Sequence, residues 1–522
     1  MAKKKNRTLH PDEPLLHPDH PRPVTRREFI QQGFISGAGA VIAPSMLGML
    51  ASSPAQALSL DMQDLKTACG IVDGAGKIPF ICFDLAGGAN FAGSNVLVGG
   101  PGGIEDPLTT AGYSKLGIAG DMLPSFGGTE VNVDRMFGLP FHSDSAMLQG
   151  MKECFPAGTT TTDINGAVIP ARSGNDTGNN PHNPMYAIQK AGASGDIMSL
   201  IGSQNTVSGG NSLSPALMID LTVRPTKIDR QSDVLGLVDT GELANKMGVA
   251  NATRVMEAIE RISEAKLNNA NIQTGLVTDA AIKNQVKCNY VQSAYMVERY
   301  GVPTTLDVDA DTNIAAAFGT NAGIYATDRE LRKTASVMKM VINGLAGAGT
   351  ISMGGYDYHT GNRTTGEARD LRAGRCIGAC LRYAELVGKP LMIYVFSDGS
   401  LASNGAVDPN NGKLVWTGDN SSTACSFFLV YDPTNGAPTL NGVDAADQMK
   451  HQQIGWFRPG ASVETTNSTV MANNVNLLVE SVVLNYMALH GEEGNFETLF
   501  PNHGLGNATK RDSVTAFGKI TP

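Results

Sequence analysis

The sequence has few aromatic residues and little positive charge. Aromatic residues make up 6% of the 522 positions, and 40 Lys and Arg stand against 49 Asp and Glu, which gives a formal net charge of −9 at pH 7. Proteins that bind nucleic acid usually carry a basic stripe, often with interleaved aromatic residues. No such stripe occurs in this chain. The composition therefore argues against a nucleic-acid partner.

A nucleotide-binding signature is also missing. The glycine-rich segment Gly99–Gly103 comes nearest to a phosphate-binding loop, but no strand precedes it and no Gly-Lys-Ser/Thr follows it. No dinucleotide-binding pattern occurs either, so an oxidoreductase has no motif in its favour. We therefore expect turns in this segment and no nucleotide cofactor.

The cysteines do not follow a recognisable disulfide pattern. Their number is odd, seven, and Cys376 and Cys380 are spaced for neither a zinc knuckle nor a redox Cys-x-x-Cys pair. Buried free thiols are the favoured interpretation. An oxidising compartment would permit one or two bridges.

One apolar segment stands out near the N-terminus. Arg26 and Arg27 precede a mildly apolar run over residues 33–51, and a small-residue cleavage pattern, Ala55-Gln56-Ala57, follows it. This order predicts a twin-arginine signal peptide with an extended tail at residues 1–57. The run contains four glycines and Pro44, whereas a membrane span needs about 20 strongly apolar residues. An uncleaved anchor is therefore the weaker alternative.

The predicted leader has consequences for location and partners. Cleavage after Ala57 would leave 465 residues with 33 Lys and Arg and 45 Asp and Glu, a balance of −12. We expect a periplasmic or otherwise exported protein, with the twin-arginine translocase as its partner during export and no stable membrane span after cleavage. Because this route carries folded proteins, the leader also favours a bound metal or cofactor.

Helices alternate with continuous apolar strands in the predicted mature chain. Residues 77–85, 349–353 and 391–396 have the composition of buried strands, and residues 367–387 have the periodicity of a helix with one apolar face. This order predicts an α/β fold with a mostly parallel central sheet flanked by helices. We expect one elaborated domain over residues 58–522, with glycine-rich loops and a helical insertion at about 238–300.

Acidic residues follow three of these predicted strands. Asp84 ends the first, Asp357 and His359 follow the second, and Asp398 follows the third. Ligands of open α/β sheets bind outside the carboxyl ends of the strands. Carboxylate oxygens and imidazole nitrogens suit divalent cations, so the pattern predicts a site for one or two ions. The alternative for each acid alone is an ordinary turn or helix cap.

Three stretches resemble the bacterial domain of unknown function 1501 family. They are Leu85-Ala86-Gly87-Gly88-Ala89-Asn90 after the first strand, Phe141-His142-Ser143 before a helix, and the late Gly-Gly-Tyr-Asp-Tyr-His at 354–359. That family is distantly similar to the alkaline phosphatase and sulfatase superfamily. The resemblance therefore implies a fold of that kind and a metal-dependent hydrolase of phosphate or sulfate esters.

The resemblance also implies roles for individual residues. Asp84 and Asp398 would be metal ligands, with Asp357 and His359 nearby. His142, His182 and His503 are weaker candidates. No Ser or Thr is clearly placed as a nucleophile, and Ser94 is only near the expected position.

The sequence departs from the family pattern at ligand positions. Ala89, Asn90 and Phe91 occupy the region where the family has a second early acid, and Gly399 follows Asp398 where the superfamily has histidine. These departures favour an alternative function. In that alternative the chain is a non-catalytic binding protein, or takes part in secretion or surface assembly.

Overall fold

Buried apolar strands assemble into one seven-stranded sheet. The computed structural model describes residues 58–69, 71, 76–174, 178–220, 222–237, 246–268, 279–301, 306–361 and 363–521. The predicted signal peptide at 1–57 lies outside these residues, as do parts of the predicted helical insertion. From Ser59 onward the chain forms one compact unit.

The described strands are short, and five of the eleven are buried at every residue. They are β1 (Phe80–Leu85), β2 (Val133–Asp134), β3 (Phe141–His142), β4 (Ile164–Pro170), β5 (Met198–Gly202), β6 (Thr226–Lys227), β7 (Ala346–Met353), β8 (Leu391–Phe396), β9 (Leu401–Ala402), β10 (Gly418–Asp419) and β11 (Cys425–Tyr431).

The large sheet has the strand order β4-β11-β8-β1-β7-β5-β6. Strand β1 lies at its centre and pairs in parallel with both β7 and β8. The pairs β5–β7 and β5–β6 are also parallel, and β11 alone runs against its neighbours β4 and β8. The predicted mostly parallel α/β sheet is therefore confirmed, with one antiparallel strand inside it.

Helices cover both faces of this sheet. In the described residues they are α1 (Leu60–Ala68), α2 (Thr110–Lys115), α3 (Ala146–Lys152), α4 (Met185–Lys190), α5 (Gln231–Leu237), α6 (Val249–Leu267), α7 (Asp279–Tyr300), α8 (Thr312–Ala317), α9 (Ala322–Tyr325), α10 (Arg329–Ile342), α11 (Arg363–Val387), α12 (Ala445–Gln452), α13 (Val475–Ala488), α14 (Phe496–Leu499) and α15 (Ala508–Asp512). None of them combines the length and the hydropathy that crossing a membrane requires.

The two-residue period of the strands divides the core into two layers. Ile81 and Phe83 of β1 join the cluster that contains α10 and α11. Phe80 and Cys82 point to the other cluster, which contains α4 and α13. Because side chains alternate along a strand, a strand that is apolar at every position can be covered on both faces. This burial accounts for the continuous apolar runs of the sequence.

A disulfide ties the first described helix to the helical insertion. Cys69 follows α1 and is bonded to Cys288 of α7, which lies 219 residues further along the chain. An ion pair between Arg261 of α6 and Asp61 of α1 supports the same packing. The other five cysteines are free and buried. Free buried thiols therefore account for most of the cysteines, and one bridge is present as well.

We expect the protein purified from the compartment it is exported to, denatured without a reductant, to react with a thiol reagent at five of its seven cysteines. Protein made in the cytoplasm without residues 1–57 should react at all seven, because cytosolic thiols stay reduced. Mass spectrometry of the alkylated chains counts the modified sites. Seven reactive thiols in the exported protein would contradict the bridge.

Candidate active site at the carboxyl edge of the sheet

The carboxyl ends of the central strands meet at one edge of the sheet. Strands β1, β7 and β8 run in parallel, and Asp84 of β1 pairs in register with Ser352 of β7 and Phe396 of β8. The loops that follow these strands therefore leave the sheet side by side. They carry Asp357, His359 and Asp398, three of the four residues that the sequence singles out as metal ligands, and the fourth, Asp84, lies near the end of β1 itself.

The loop after β7 alternates between buried tyrosines and outward-facing polar residues. Tyr356 is 1% exposed and Tyr358 is 2% exposed. Asp357 lies between the two tyrosines, and its side chain is 46% exposed; His359 follows Tyr358, and its side chain is 33% exposed. An extended segment turns successive side chains to opposite faces. Burial of the two tyrosines therefore directs Asp357 and His359 to the same outer face.

Hydrogen bonds fix both tyrosines. The Tyr356 hydroxyl donates to the Arg369 carbonyl at 3.0 Å, and the Tyr358 hydroxyl donates to Asp370 Oδ1 at 2.9 Å. The Tyr358 oxygen also accepts a bond from the Asn90 backbone N–H at 3.1 Å. Both acceptors lie on α11, so this helix anchors the loop that presents Asp357 and His359.

The Tyr358 ring also contacts the segment that carries a third acid. Its centroid lies 5.2 Å from that of Trp416, and the Arg363 guanidinium covers the indole at 4.0 Å. Gly366 permits this approach, because a Cβ there would lie 2.7 Å from Tyr358 and 2.9 Å from Trp416. Three residues after Trp416 the chain reaches Asp419 in β10, paired with Leu401 of β9.

Asp357, His359 and Asp419 form the one group of three metal-ligating side chains found within the described ranges. Their ligand atoms all lie within 4.8 Å of one another. The His359 Nε2 atom is 2.8 Å from Asp357 Oδ1 and 3.5 Å from Asp419 Oδ1. We call this group the Asp-His-Asp triad.

The triad could hold one divalent ion. Ligand atoms about 2 Å from a tetrahedral ion lie roughly 3.4 Å apart, which is close to the separation of His359 Nε2 from Asp419 Oδ1. The shorter contact between His359 and Asp357 would have to open by about half an ångström. Two carboxylates and one imidazole leave a fourth position for water or substrate, as in catalytic zinc sites.

Asp84 and Asp398 are not members of the triad. Asp84 is fully buried and accepts backbone N–H bonds from Asn211 at 2.6 Å and Ser212 at 2.7 Å. Asp398 is also fully buried and accepts bonds from the backbone N–H groups of Gly87 and Gly178. Both acids therefore fasten loops to the carboxyl edge of the sheet.

The burial of Asp84 perturbs its ionisation. Loss of hydration raises the pKa of Asp84 to about 7, and the neighbouring charge of Asp398 acts in the same direction. The N–H bonds from Ser212 and Asn211 oppose the shift because they favour the ionised carboxylate. Asp84, near the carboxyl end of β1, would therefore gain or lose a proton near neutral pH.

The weaker candidates are all engaged away from the triad. His142 Nε2 lies 2.8 Å from the Met122 carbonyl. His182 is buried, stacks on Phe396 and lies 2.9 Å from the Ser173 hydroxyl, and burial lowers its pKa to about 3. His503 Nδ1 accepts from the Leu505 backbone N–H. The buried Ser94 hydroxyl accepts from Asn90 Nδ2.

The sequence alone does not single out Asp419, because this residue does not follow a strand of the large sheet. It lies in a two-residue strand that pairs only with β9. The one available signal was an acid shortly after the apolar run Leu414-Val415-Trp416. That signal is weak, because acids after apolar runs are common in turns.

Comparison with known proteins adds no family assignment. No protein-family model matches this chain, and no curated protein or solved structure matches it either. Function must therefore be argued from the site.

Replacing Tyr358 by Phe should lower the free energy of unfolding by about 2–4 kcal/mol, because it leaves the Asp370 carboxylate and the Asn90 N–H without this partner. The matched change Tyr356→Phe should cost about 1 kcal/mol, since the Arg369 carbonyl keeps its bond within α11. Urea unfolding of both variants measures the difference. Equal losses would contradict the central role of the Tyr358 hydroxyl.

Stability should fall as pH rises from about 4 to about 7. Burial raises the pKa of Asp370 from 3.8 to about 7. As pH rises, the Asp370 carboxyl therefore ionises in the unfolded chain before it ionises in the folded protein, and this ionisation favours the unfolded chain between about pH 4 and about pH 7. If the pKa shift of Asp370 is fully realised, the free energy of unfolding falls by about 4 kcal/mol over this interval. Below pH 3.8 both states are protonated, and above pH 7 both are ionised, so the effect is confined to this window.

The change Asp370→Asn removes this titration. We expect the free energy of unfolding of the variant to decline less than that of the wild type between pH 4.5 and pH 8, whatever its absolute stability. Denaturation at several pH values measures the two slopes. Parallel curves would show that Asp370 does not titrate in this range.

Proposed function

We propose that the protein is an exported, metal-dependent hydrolase of phosphate or sulfate esters, with one divalent cation held by the Asp-His-Asp triad. The single observation that carries this proposal is the convergence of Asp357, His359 and Asp419 within 4.8 Å at the carboxyl edge of a parallel sheet. Ligands of open α/β sheets bind at that edge. The resemblance to the domain of unknown function 1501 family, which includes residues 354–359, supports the same chemistry.

The roles of the residues follow from their positions. Asp357, His359 and Asp419 would hold the ion and orient an ester oxygen toward it. An ion held by these residues would supply Lewis-acid chemistry and would activate water as the nucleophile, so that no dedicated Ser or Thr would be needed. The exposure of the three side chains leaves room for a substrate that arrives from solvent.

Export is supported by the disulfide and by the leader motif. A bridge between Cys69 and Cys288 is typical of proteins that reside in oxidising compartments. The Arg26-Arg27 pair and the small-residue cleavage pattern at Ala55 and Ala57 point to the same location. We propose the periplasm or another exported location, with the twin-arginine translocase as the export partner.

One observation favours a second function, a non-catalytic binding protein of the cell envelope. The resemblance implies that Asp84 and Asp398 are ligands, yet both are buried and accept backbone N–H bonds from loops. An ancestral site that has lost these two ligands would retain the fold and one exposed cation site. Binding without turnover distinguishes this alternative.

The test combines metal binding with ester hydrolysis. Metal-free mature protein is titrated with Zn²⁺ and Mn²⁺ by calorimetry, then assayed with 4-nitrophenyl phosphate and 4-nitrophenyl sulfate. We expect one site per chain and metal-dependent turnover. Asp357→Asn and Asp419→Asn should lower affinity by about 100-fold or more, since loss of an outer-shell partner alone costs 10–100-fold.

The control is Asp512→Asn, which removes the same charge from an exposed position. It should bind and react as the wild type does. A cation that binds without hydrolysis of either ester would establish the binding-protein alternative. The proposal is overturned if neither ion binds, or if the triad variants bind as tightly as the Asp512→Asn control.

A further inference from the structure

A groove opens on the first turns of α11, beside the loop that presents Asp357. Its volume is about 390 Å³, which is within the range of small-molecule sites. The described residues that line it all belong to α11 and recur three or four apart, as residues on one face of a helix do. They are Thr364, Thr365, Ala368, Arg369 and Arg372. The groove shares no residue with the Asp-His-Asp triad.

Positive charge distinguishes the wall of this groove. Arg369 and Arg372 lie one helical turn apart, and among the residues that the structure describes no acid lines the groove. Arg369 makes no ion pair with a described acid, and its guanidinium donates a long bond of 3.5 Å to the Gly354 carbonyl. Arg372 is 42% exposed, and its Nε lies 3.5 Å from Asp328. Because a guanidinium has five N–H donors, both groups retain donors for a ligand.

The acids nearest along α11 do not neutralise these arginines. Glu367 lies two residues before Arg369, on the other side of the helix, where it pairs with Arg363 and Lys413. Asp370 is buried beneath the surface of the helix. The groove is also at the N-terminal end of a helix of 25 residues, where the helix dipole favours negative charge. The groove is therefore suited to an anion.

Arg369 connects the groove to the loop of the triad. Its guanidinium lies against Gly355, where a Cβ would be 2.8 Å from Cζ and 2.9 Å from Nη1. Gly355 has a φ of +89°, so the backbone conformation and the close contact both favour glycine. Asp357 follows two residues later, and Cα atoms at this separation are at most about 7 Å apart. One small ligand can therefore reach both the groove and an ion held by the triad.

We propose that the groove binds a second anionic group of the substrate, so that the preferred esters carry two phosphate or sulfate groups. Water would cleave the first ester at the triad to inorganic phosphate or sulfate and an alcohol, and the second ester would stay intact. Arg369 and Arg372 would hold this second group, because guanidinium groups bind such oxyanions through paired N–H bonds. The inference rests on the proposed hydrolase, since it assigns a substrate class to the same triad.

Matched substrates test this preference. The metal-loaded mature protein is assayed with hexane-1,6-diol bisphosphate against hexyl phosphate, and with the two corresponding sulfates. In at least one series we expect kcat/KM to be higher for the ester with two anionic groups by about tenfold or more, the effect of one hydrogen bond to a charged group. The gain should appear in KM, because the group in the groove does not react.

Variants of α11 locate the second group. Arg369→Ala combined with Arg372→Ala should reduce the ratio of the two kcat/KM values to about 2, the statistical factor for two equivalent ester groups. Arg369→Lys should keep part of the preference, because lysine retains the charge and loses the planar fork. The control Arg382→Ala removes the same charge from the same helix about 20 Å away, and it should keep the full ratio.

Calorimetry on the metal-free protein separates this inference from the proposed hydrolase. With no ion at the triad, the bisphosphate or bis-sulfate should bind through the groove alone, and hexane-1,6-diol should not bind. The double arginine variant should bind about tenfold more weakly or worse. Arginine-dependent binding without hydrolysis of any ester would confirm an anion site in the groove and overturn the hydrolase, and with it the substrate class.

Three results would overturn the inference and leave the hydrolase in place. The first is hydrolysis of both kinds of ester with a kcat/KM ratio no greater than about 2. The second is a preference for two anionic groups that the double arginine variant retains. The third is failure of both the bisphosphate and the bis-sulfate to bind the metal-free protein.

Discussion

The hydrogen bond between Tyr358 and Asp370 is the contact on which the candidate site depends. It fixes the loop after β7 to α11, and the same ring packs against Trp416, whose segment leads to Asp419. One buried tyrosine thus positions ligands from two separate parts of the chain. Asp370 is itself held by Asn95 Nδ2 at 2.8 Å, so the bond is part of a buried network that favours a single arrangement.

Buried acids have a second role at this edge of the sheet. Asp84 and Asp398 bind the backbone N–H groups of glycine-rich and polar loops, which no regular strand or helix satisfies. A carboxylate can accept several such bonds and so replaces secondary structure as the partner of the loop backbone. Burial raises the pKa of Asp84 to about 7, although the N–H bonds that it accepts oppose the shift. The stability of the carboxyl edge of the sheet is therefore linked to the ionisation of Asp84.

The sheet and two of the three triad residues could be predicted from the sequence because their signals are local. The apolar runs mark the central strands, and residues 357–359 place an acid and a histidine on one face of an extended segment. Asp419, the antiparallel direction of β11 and the bond between Cys69 and Cys288 depend on contacts between distant segments. No local pattern encodes such contacts. Equally, nothing local distinguishes a buried loop-binding acid such as Asp398 from an exposed ligand.

A crystal structure of the mature protein grown with Mn²⁺ or Zn²⁺ would show whether the triad holds an ion, because anomalous scattering locates the ion without assumptions about activity. We predict one strong peak about 2.0–2.2 Å from ligand atoms of Asp357, His359 and Asp419, with Tyr358 still bonded to Asp370. A peak between Asp84 and Asp398, or no ordered ion at the triad, would contradict it.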